Sequence, residues 1–298
     1  MCGIVGLFLK DKVLEPDLGA MLTDMLVTMT DRGPDSAGIA IYGQGGDGKA
    51  KLTLQSDRPD VAYDGLAGVL SAALGSEVAV SVNDTHAVLT LAAEHAGAAR
   101  EAIAGMDRAI RVMSDGQTIE IYKEVGLPGE VAQRFSLSSM TGTHGIGHTR
   151  MATESAVTTL GAHPFSTGAD QCLVHNGSLS NHNALRRRLI REGIEVQTEN
   201  DTEVAAAYLT WKMREGHTLG EALEAGIDDL DGFYTFVVGT RDGFGVVRDP
   251  IACKPAVMAE TDQYVAFGSE YRALVNLPGI ETARVWEPEP ATVYFWRH

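Results

Sequence analysis

Short apolar runs gather at the two ends of this chain and the strong helical periodicities lie between them, which restricts the fold to stacked layers. Residues 4–9 read as a strand. From Pro16 to about Met29 the apolar side chains Leu18, Met21, Leu22, Met25, Leu26 and Met29 recur at the spacing of one helix face. Strands are predicted at 38–42 and 51–55, joined by a Gly-rich turn at 43–49, and again at 145–149 and 171–175. Helices are predicted over 181–192, 201–215 and 218–228, followed by strands at 233–240, 243–248, 256–260 and 264–268. This order predicts an α+β fold, two sheets covered by helices, within one domain spanning 1–298. The stretch from about 57 to 133 breaks the pattern with helix, strand, strand, Ala-rich helix and two strands around Asp115-Gly116, and reads as an α+β insert.

Composition narrows the functions. Twenty-four basic residues against forty acidic ones give a net charge of −16, which repels phosphate backbones and anionic lipid. Neither nucleic acid nor a membrane surface is an expected partner. No stretch approaches the roughly 20 apolar residues of a membrane span, and the short apolar N-terminus lacks the basic and long apolar regions of a secretion signal. Three cysteines, Cys2, Cys172 and Cys253, form no disulfide framework and have no metal-like spacing. A cytoplasmic protein without a metal site is expected, with Cys172 and Cys253 as small apolar residues in or beside strands.

Four features carry chemistry. Removal of Met1 would leave Cys2 with a free α-amine, whose ordinary pKa of about 7.7–8.0 lets it act as a base for its own thiol. Arg150, in Gly147-His148-Thr149-Arg150, is placed at a strand end where a guanidinium can grip a carboxylate. His175-Asn176-Gly177 offers a side-chain amide and a backbone N–H to a tetrahedral oxyanion. Asn200-Asp201-Thr202-Glu203 supplies a carboxylate for an ammonium group. Singly, each has a plainer reading: an inert cysteine, a surface ion pair, a turn, a helix cap. Together they describe a ligand with an α-carboxylate, an α-ammonium and a side-chain amide, which is glutamine or asparagine.

In order, Met1-Cys2-Gly3-Ile4-Val5-Gly6, Arg32-Gly33-Pro34-Asp35-Ser36-Ala37-Gly38, Gly147-His148-Thr149-Arg150, His175-Asn176-Gly177 and Asn200-Asp201-Thr202-Glu203 resemble the motifs of the class II glutamine amidotransferases. Arg248-Asp249-Pro250, Lys254-Pro255 and Gly268-Ser269-Glu270 resemble that family's C-terminal strands. The resemblance implies an N-terminal-nucleophile (Ntn) hydrolase fold, an αββα sandwich of two antiparallel sheets. It implies Cys2 as nucleophile, Asn176 and Gly177 as the oxyanion hole, and Arg150, Thr153 and Asp201 as the glutamine-binding residues, with Arg32, Asp35 and His148 in support. Met151 and Glu154 stand where many members have Trp and His, so the pocket wall differs.

The chain ends soon after the last such strand, so the resemblance places the ammonia acceptor on a separate synthase subunit of a hetero-oligomer. The layout is most similar to the glutamate-synthase-related group, such as the amidotransferase subunit of N-methylglutamate synthase (methylamine–glutamate N-methyltransferase). FMN and an iron–sulfur cluster would then belong to partner subunits, with no cofactor in this chain. Two other readings stay open at this point: a free-standing Ntn hydrolase of another γ-glutamyl amide, and a non-catalytic glutamine-binding regulatory subunit.

Overall fold

The computed structural model describes residues 2–106, 109–152 and 156–298. The chain opens with β1 (Gly3–Leu9), passes through helix α1 (Leu18–Thr28) and returns as β2 (Ser36–Tyr42). Next come β3 (Lys49–Gln55), α2 (Pro59–Ala62), α3 (Leu66–Leu74), β4 (Ala79–Asn83), β5 (His86–Ala92), α4 (Ala96–Ala104) and β6 (Arg111–Gly116). After β7 (Ile119–Val125), α5 (Pro128–Arg134), β8 (His144–Arg150), β9 (Phe165–Gly168) and β10 (Gln171–Leu179), three helices follow: α6 (His182–Arg191), α7 (Asp201–Arg214) and α8 (Leu219–Asp229). The chain closes with β11 (Gly232–Thr240), β12 (Gly243–Arg248), β13 (Val257–Glu260), β14 (Tyr264–Gly268), β15 (Arg284–Trp286) and β16 (Val293–Arg297).

Two antiparallel sheets stack face to face. One has the order β15-β13-β14-β1-β8-β2-β7, the other β16-β12-β11-β10-β9. Phe8, Ile146, Val174, Val237 and Phe244 fill the space between them. Helix α1 lies on the outer face of the first sheet through Leu18, Leu22, Met25 and Leu26, all buried at helical spacing. Each such side chain stabilises the fold by about 1.5–3 kcal/mol. The second sheet is covered by α6, α7 and α8, whose Leu185, Leu189, Tyr208, Trp211 and Leu223 form a core of their own. The architecture is therefore the α+β, αββα sandwich of the Ntn hydrolases. A further sheet, β4-β5-β3-β6, has its own core around Leu52, Leu66, Leu70 and Leu89.

The structure differs from the sequence reading in sheet membership as well as at element ends. β3, read as following β2 across a turn, pairs instead with β5 and β6 in the further sheet. β7, read within the 57–133 insert, pairs with β2 in the first sheet, so the further sheet begins before residue 57 and ends before 133. Pro16 lies in a 3₁₀ turn, Lys12–Asp17, so α1 begins at Leu18. Helix α5 and strands β9, β15 and β16 were not anticipated, being short or at sheet edges. Cys253 lies beside β12, in the loop to β13, but is exposed instead of packed as a small apolar residue, whereas Cys172 is buried on β10.

Candidate active site

β1 and β8 pair with Gly3 opposite Thr149, which brings Cys2 level with Arg150 at the open end of the first sheet. Gly3 leaves no room for a side chain: a Cβ there would lie 2.7 Å from Thr149 Oγ1 and 2.8 Å from Met29 Cβ. The backbone of Cys2 is held from two directions. Arg32 Nε donates to its carbonyl at 2.9 Å, and Asn176 Nδ2, from the second sheet, donates to the same oxygen at 3.2 Å. Arg32 is in turn fixed by Glu270, whose Oε1 accepts from Nη1 at 2.5 Å. One residue further along β1, Ile4 N–H donates to Ser269 Oγ at 2.9 Å. The N-terminus is thus pinned by side chains from three separate segments of the chain, at Arg32, Asn176 and Ser269.

Asn176 and Gly177 sit on β10, paired with Thr235 and Tyr234 of β11. Gly177 has φ +150, and a Cβ there would lie 1.9 Å from the Phe233 carbonyl oxygen, so only glycine fits this close backbone approach. Asp201 opens α7. Asn200, not Asp201, caps that helix, with its side chain accepting from Thr202 N–H at 2.9 Å. The Asp201 carboxylate turns toward β10, where Oδ2 accepts from Leu179 N–H at 2.9 Å and Oδ1 lies 3.7 Å from His175 Nδ1. Burial pushes the Asp201 carboxyl up, but the His175 ring, the Leu179 N–H and His182 together hold it below the usual carboxylate value. An ionised carboxylate at the start of a helix, facing the strand of Asn176, is suited to a cation.

Arg150 ends β8, buried, with Nη1 donating to the Ala156 carbonyl at 3.3 Å. Asp35 staples the turn that follows: its N–H donates to the Arg150 carbonyl at 3.1 Å, and Oδ2 accepts from Ala152 N–H at 2.7 Å. Met151 is exposed at the rim. Thr153 and Glu154 lie outside the described residues. His148 is buried behind the site, its Nε2–H donating to the His175 carbonyl at 3.1 Å, and burial lowers its pKa to about 3, so the ring is neutral.

Residues that the sequence reading did not single out support the segment after β8. Lys123, buried on β7, donates from Nζ to the carbonyls of Ala162 at 2.8 Å and Pro164 at 3.2 Å, and Glu124 accepts from the Thr159 hydroxyl. A Cβ at Gly38 would lie 2.0 Å from the His163 carbonyl oxygen, so glycine is what lets this segment pack onto β2. Burial pushes Lys123 down to about 7. In the unfolded chain its pKa is about 10.4, so between about pH 7 and 10 the unfolded state binds the extra proton and stability rises with pH. The melting temperature of wild type relative to that of K123M should therefore rise from about pH 7 to 9.5. A constant difference would contradict an uncharged Lys123.

Of the residues expected to act together, Cys2, Arg32, Asp35, Asn176, Gly177, Arg150 and Asp201 converge at one end of the sandwich, with His148 beneath them. Thr202, His163 and Glu270 complete the surroundings. Their one signal in the sequence was that Thr202 and Glu270 lie inside motifs already noted. Among the described residues no group of three or more His, Cys, Asp or Glu side chains is arranged to hold a metal ion, and no helix is long and apolar enough to cross a membrane.

Comparison with known proteins adds to this geometry. The glutamine amidotransferase domain family matches residues 148–276. The glutamine amidotransferase-like protein GlxB of Rhizobium meliloti (strain 1021) is 68% identical over 298 residues, covering 100% of this chain and 99% of that protein. Two solved structures share the fold. Glutamine phosphoribosylpyrophosphate amidotransferase from B. subtilis, complexed with ADP and GMP, superimposes with a TM-score of 0.62 at 21% identity, over 99% of this chain and 49% of that one. An allosteric regulatory enzyme of purine biosynthesis does so with a TM-score of 0.65 at 21% identity, over 99% and 47%. The chain spans about half the length of these two structures.

Proposed function

Because the chain belongs to the class II glutamine amidotransferases, we propose that it is the glutaminase subunit of a synthase complex, hydrolysing L-glutamine to glutamate and ammonia. The observation that carries this reading is the double tether of the Cys2 carbonyl by Arg32 and Asn176, level with Arg150 and facing the Asp201 side of β10. In that frame the thiol of Cys2, freed at the N-terminus by loss of Met1, attacks the side-chain carbon of glutamine. The α-amine takes the thiol proton and passes it to the departing nitrogen, so ammonia leaves and a glutamyl thioester remains. Water then cleaves the thioester, the amine acting as base, and glutamate is released. Asn176 Nδ2 and Gly177 N–H hold the oxyanion in both steps. Arg150, joined by the Thr153 hydroxyl, binds the α-carboxylate, and Asp201 binds the α-ammonium.

The ammonia passes to a separate synthase subunit of glutamate synthase or N-methylglutamate synthase type, which carries its own FMN and iron–sulfur cofactors. The likeness of the motifs and of the layout to the glutamate-synthase-related group supports this assignment. Ammonia and glutamate formation from L-glutamine, measured beside other γ-glutamyl amides, tests it. Glutamine should be turned over far faster than its analogues. Preference for a different γ-glutamyl amide would replace the reading with that of a free-standing amide hydrolase.

A further inference from the structure

The proposed glutamine site rests on two elements with no backbone ladder between them, β10 with Asn176 and the first turn of α7 with Asp201. Thr202 lies at their junction. Its hydroxyl is 2.7 Å from His163 Nε2 and 3.0 Å from His175 Nδ1. His148 closes the group, donating to the His175 carbonyl at 3.1 Å and stacking on the His163 ring with centroids 4.0 Å apart. Relative exposures of 0% for His148, 6% for His163, 3% for His175 and 1% for Thr202 put the whole cluster out of reach of solvent. His175, the residue before Asn176, is therefore held at its ring and at its carbonyl.

We propose that Thr202 is a positioning residue of this site: its hydroxyl accepts from His175 Nδ1–H and donates to His163 Nε2, locking the oxyanion strand to the helix start that carries Asp201. The proposal rests on the glutaminase reading. A hydroxyl donates only once, so one of the two rings must be its donor. Asp201 Oδ1, 3.7 Å from His175 Nδ1, favours an N–H over a lone pair at that nitrogen, which sets the direction. His163 then carries its proton on Nδ1, which, like His175 Nε2, is buried without a hydrogen-bond partner among the described residues, so these two rings hold their remaining polar contacts at the Thr202 hydroxyl. Without the hydroxyl two further ring nitrogens of the cluster lose their partner in the interior, a desolvation cost that a turn of the His175 ring relieves. The His175 Nδ1–H then turns to the Asp201 carboxylate alone. This draws the carboxylate from the substrate ammonium and shifts Asn176, so binding and turnover suffer together.

The test compares T202V, close to the same shape without the hydroxyl, and T202S, which keeps it, in the full-length protein with and without its synthase subunits. For T202V we expect KM for L-glutamine to rise and kcat to fall, each by roughly tenfold, the scale of one lost buried hydrogen bond. T202S should stay within about twofold of wild type. A folded T202V with wild-type KM and kcat, or a T202S as impaired as T202V, overturns the proposal. Should T202V not fold, the ring ¹⁵N shifts of wild type decide. An Nδ1–H form at both His175 and His163 supports the assignment, and an Nε2–H form at His175 overturns it. Failure of the glutaminase reading is read separately, from wild type alone: no glutamine turnover and no labelling of Cys2 in the assembled complex.

Discussion

Replacing Cys2 with alanine should lower glutamine turnover by a factor on the order of 10⁴ or more, the scale seen when a covalent nucleophile is removed. The melting temperature should stay close to wild type. The interactions that pin the N-terminus use the backbone of Cys2, whose carbonyl accepts from Arg32 and Asn176, and C2A keeps that carbonyl. Alanine is also small enough for Met1 to be removed, so the α-amine is retained while the thiol is lost. Cys2 is half-buried, and losing its single sulfur atom there should change stability by about 1 kcal/mol or less. Steady-state ammonia release and a thermal melt on the same preparation check both halves. Activity within tenfold of wild type would exclude a Cys2 thioester.

The second large effect is expected at Asn176. N176A should reduce kcat by roughly 100- to 1,000-fold, about 3 to 4 kcal/mol of transition-state stabilisation. KM should change by only a few-fold, because the oxyanion exists in the transition state and not in bound glutamine. Asn176 Nδ2 also tethers the Cys2 carbonyl, so part of the loss could arise from a displaced nucleophile. Arg32 still holds that carbonyl at 2.9 Å. Cys2 of N176A should therefore still be alkylated by iodoacetamide at nearly the wild-type rate while glutamine turnover is lost. Equal losses in alkylation and turnover would assign the effect to displacement.

Much of this layout was legible in the chain. The α1 stripe from Leu18 to Met29 and the longer strands of the two large sheets follow periods that burial imposes on helices and strands. The site residues were legible for another reason: Cys2, Arg150 and Asp201 stand at element ends, and His175-Asn176-Gly177, though inside β10, stands out as a short motif. What escaped is what depends on distant pairing. His163 and Thr202 are 39 positions apart and meet only because the segment leading into β9 packs against α7. β15 and β16 are edge strands of three and five residues, too short for a period to show. Lys123 is the instructive case, since it continues the inward alternation of Ile119 and Ile121 on β7. Its place in that period marked it as buried, although its charge suggested a surface.

The central claim is that Cys2, at a processed N-terminus, forms the covalent bond to glutamine. The most direct test is to incubate the full-length protein, alone and with its synthase subunits, with 6-diazo-5-oxo-norleucine and map the adduct by intact-mass and peptide mass spectrometry. A single adduct on Cys2, with Met1 absent and glutamine protecting, is the predicted result. Cys172 serves as an internal control, since burial pushes its thiol up to about 12 and encloses it. An adduct confined to the exposed Cys253 and insensitive to glutamine, or none on Cys2 in the assembled complex, would contradict the account.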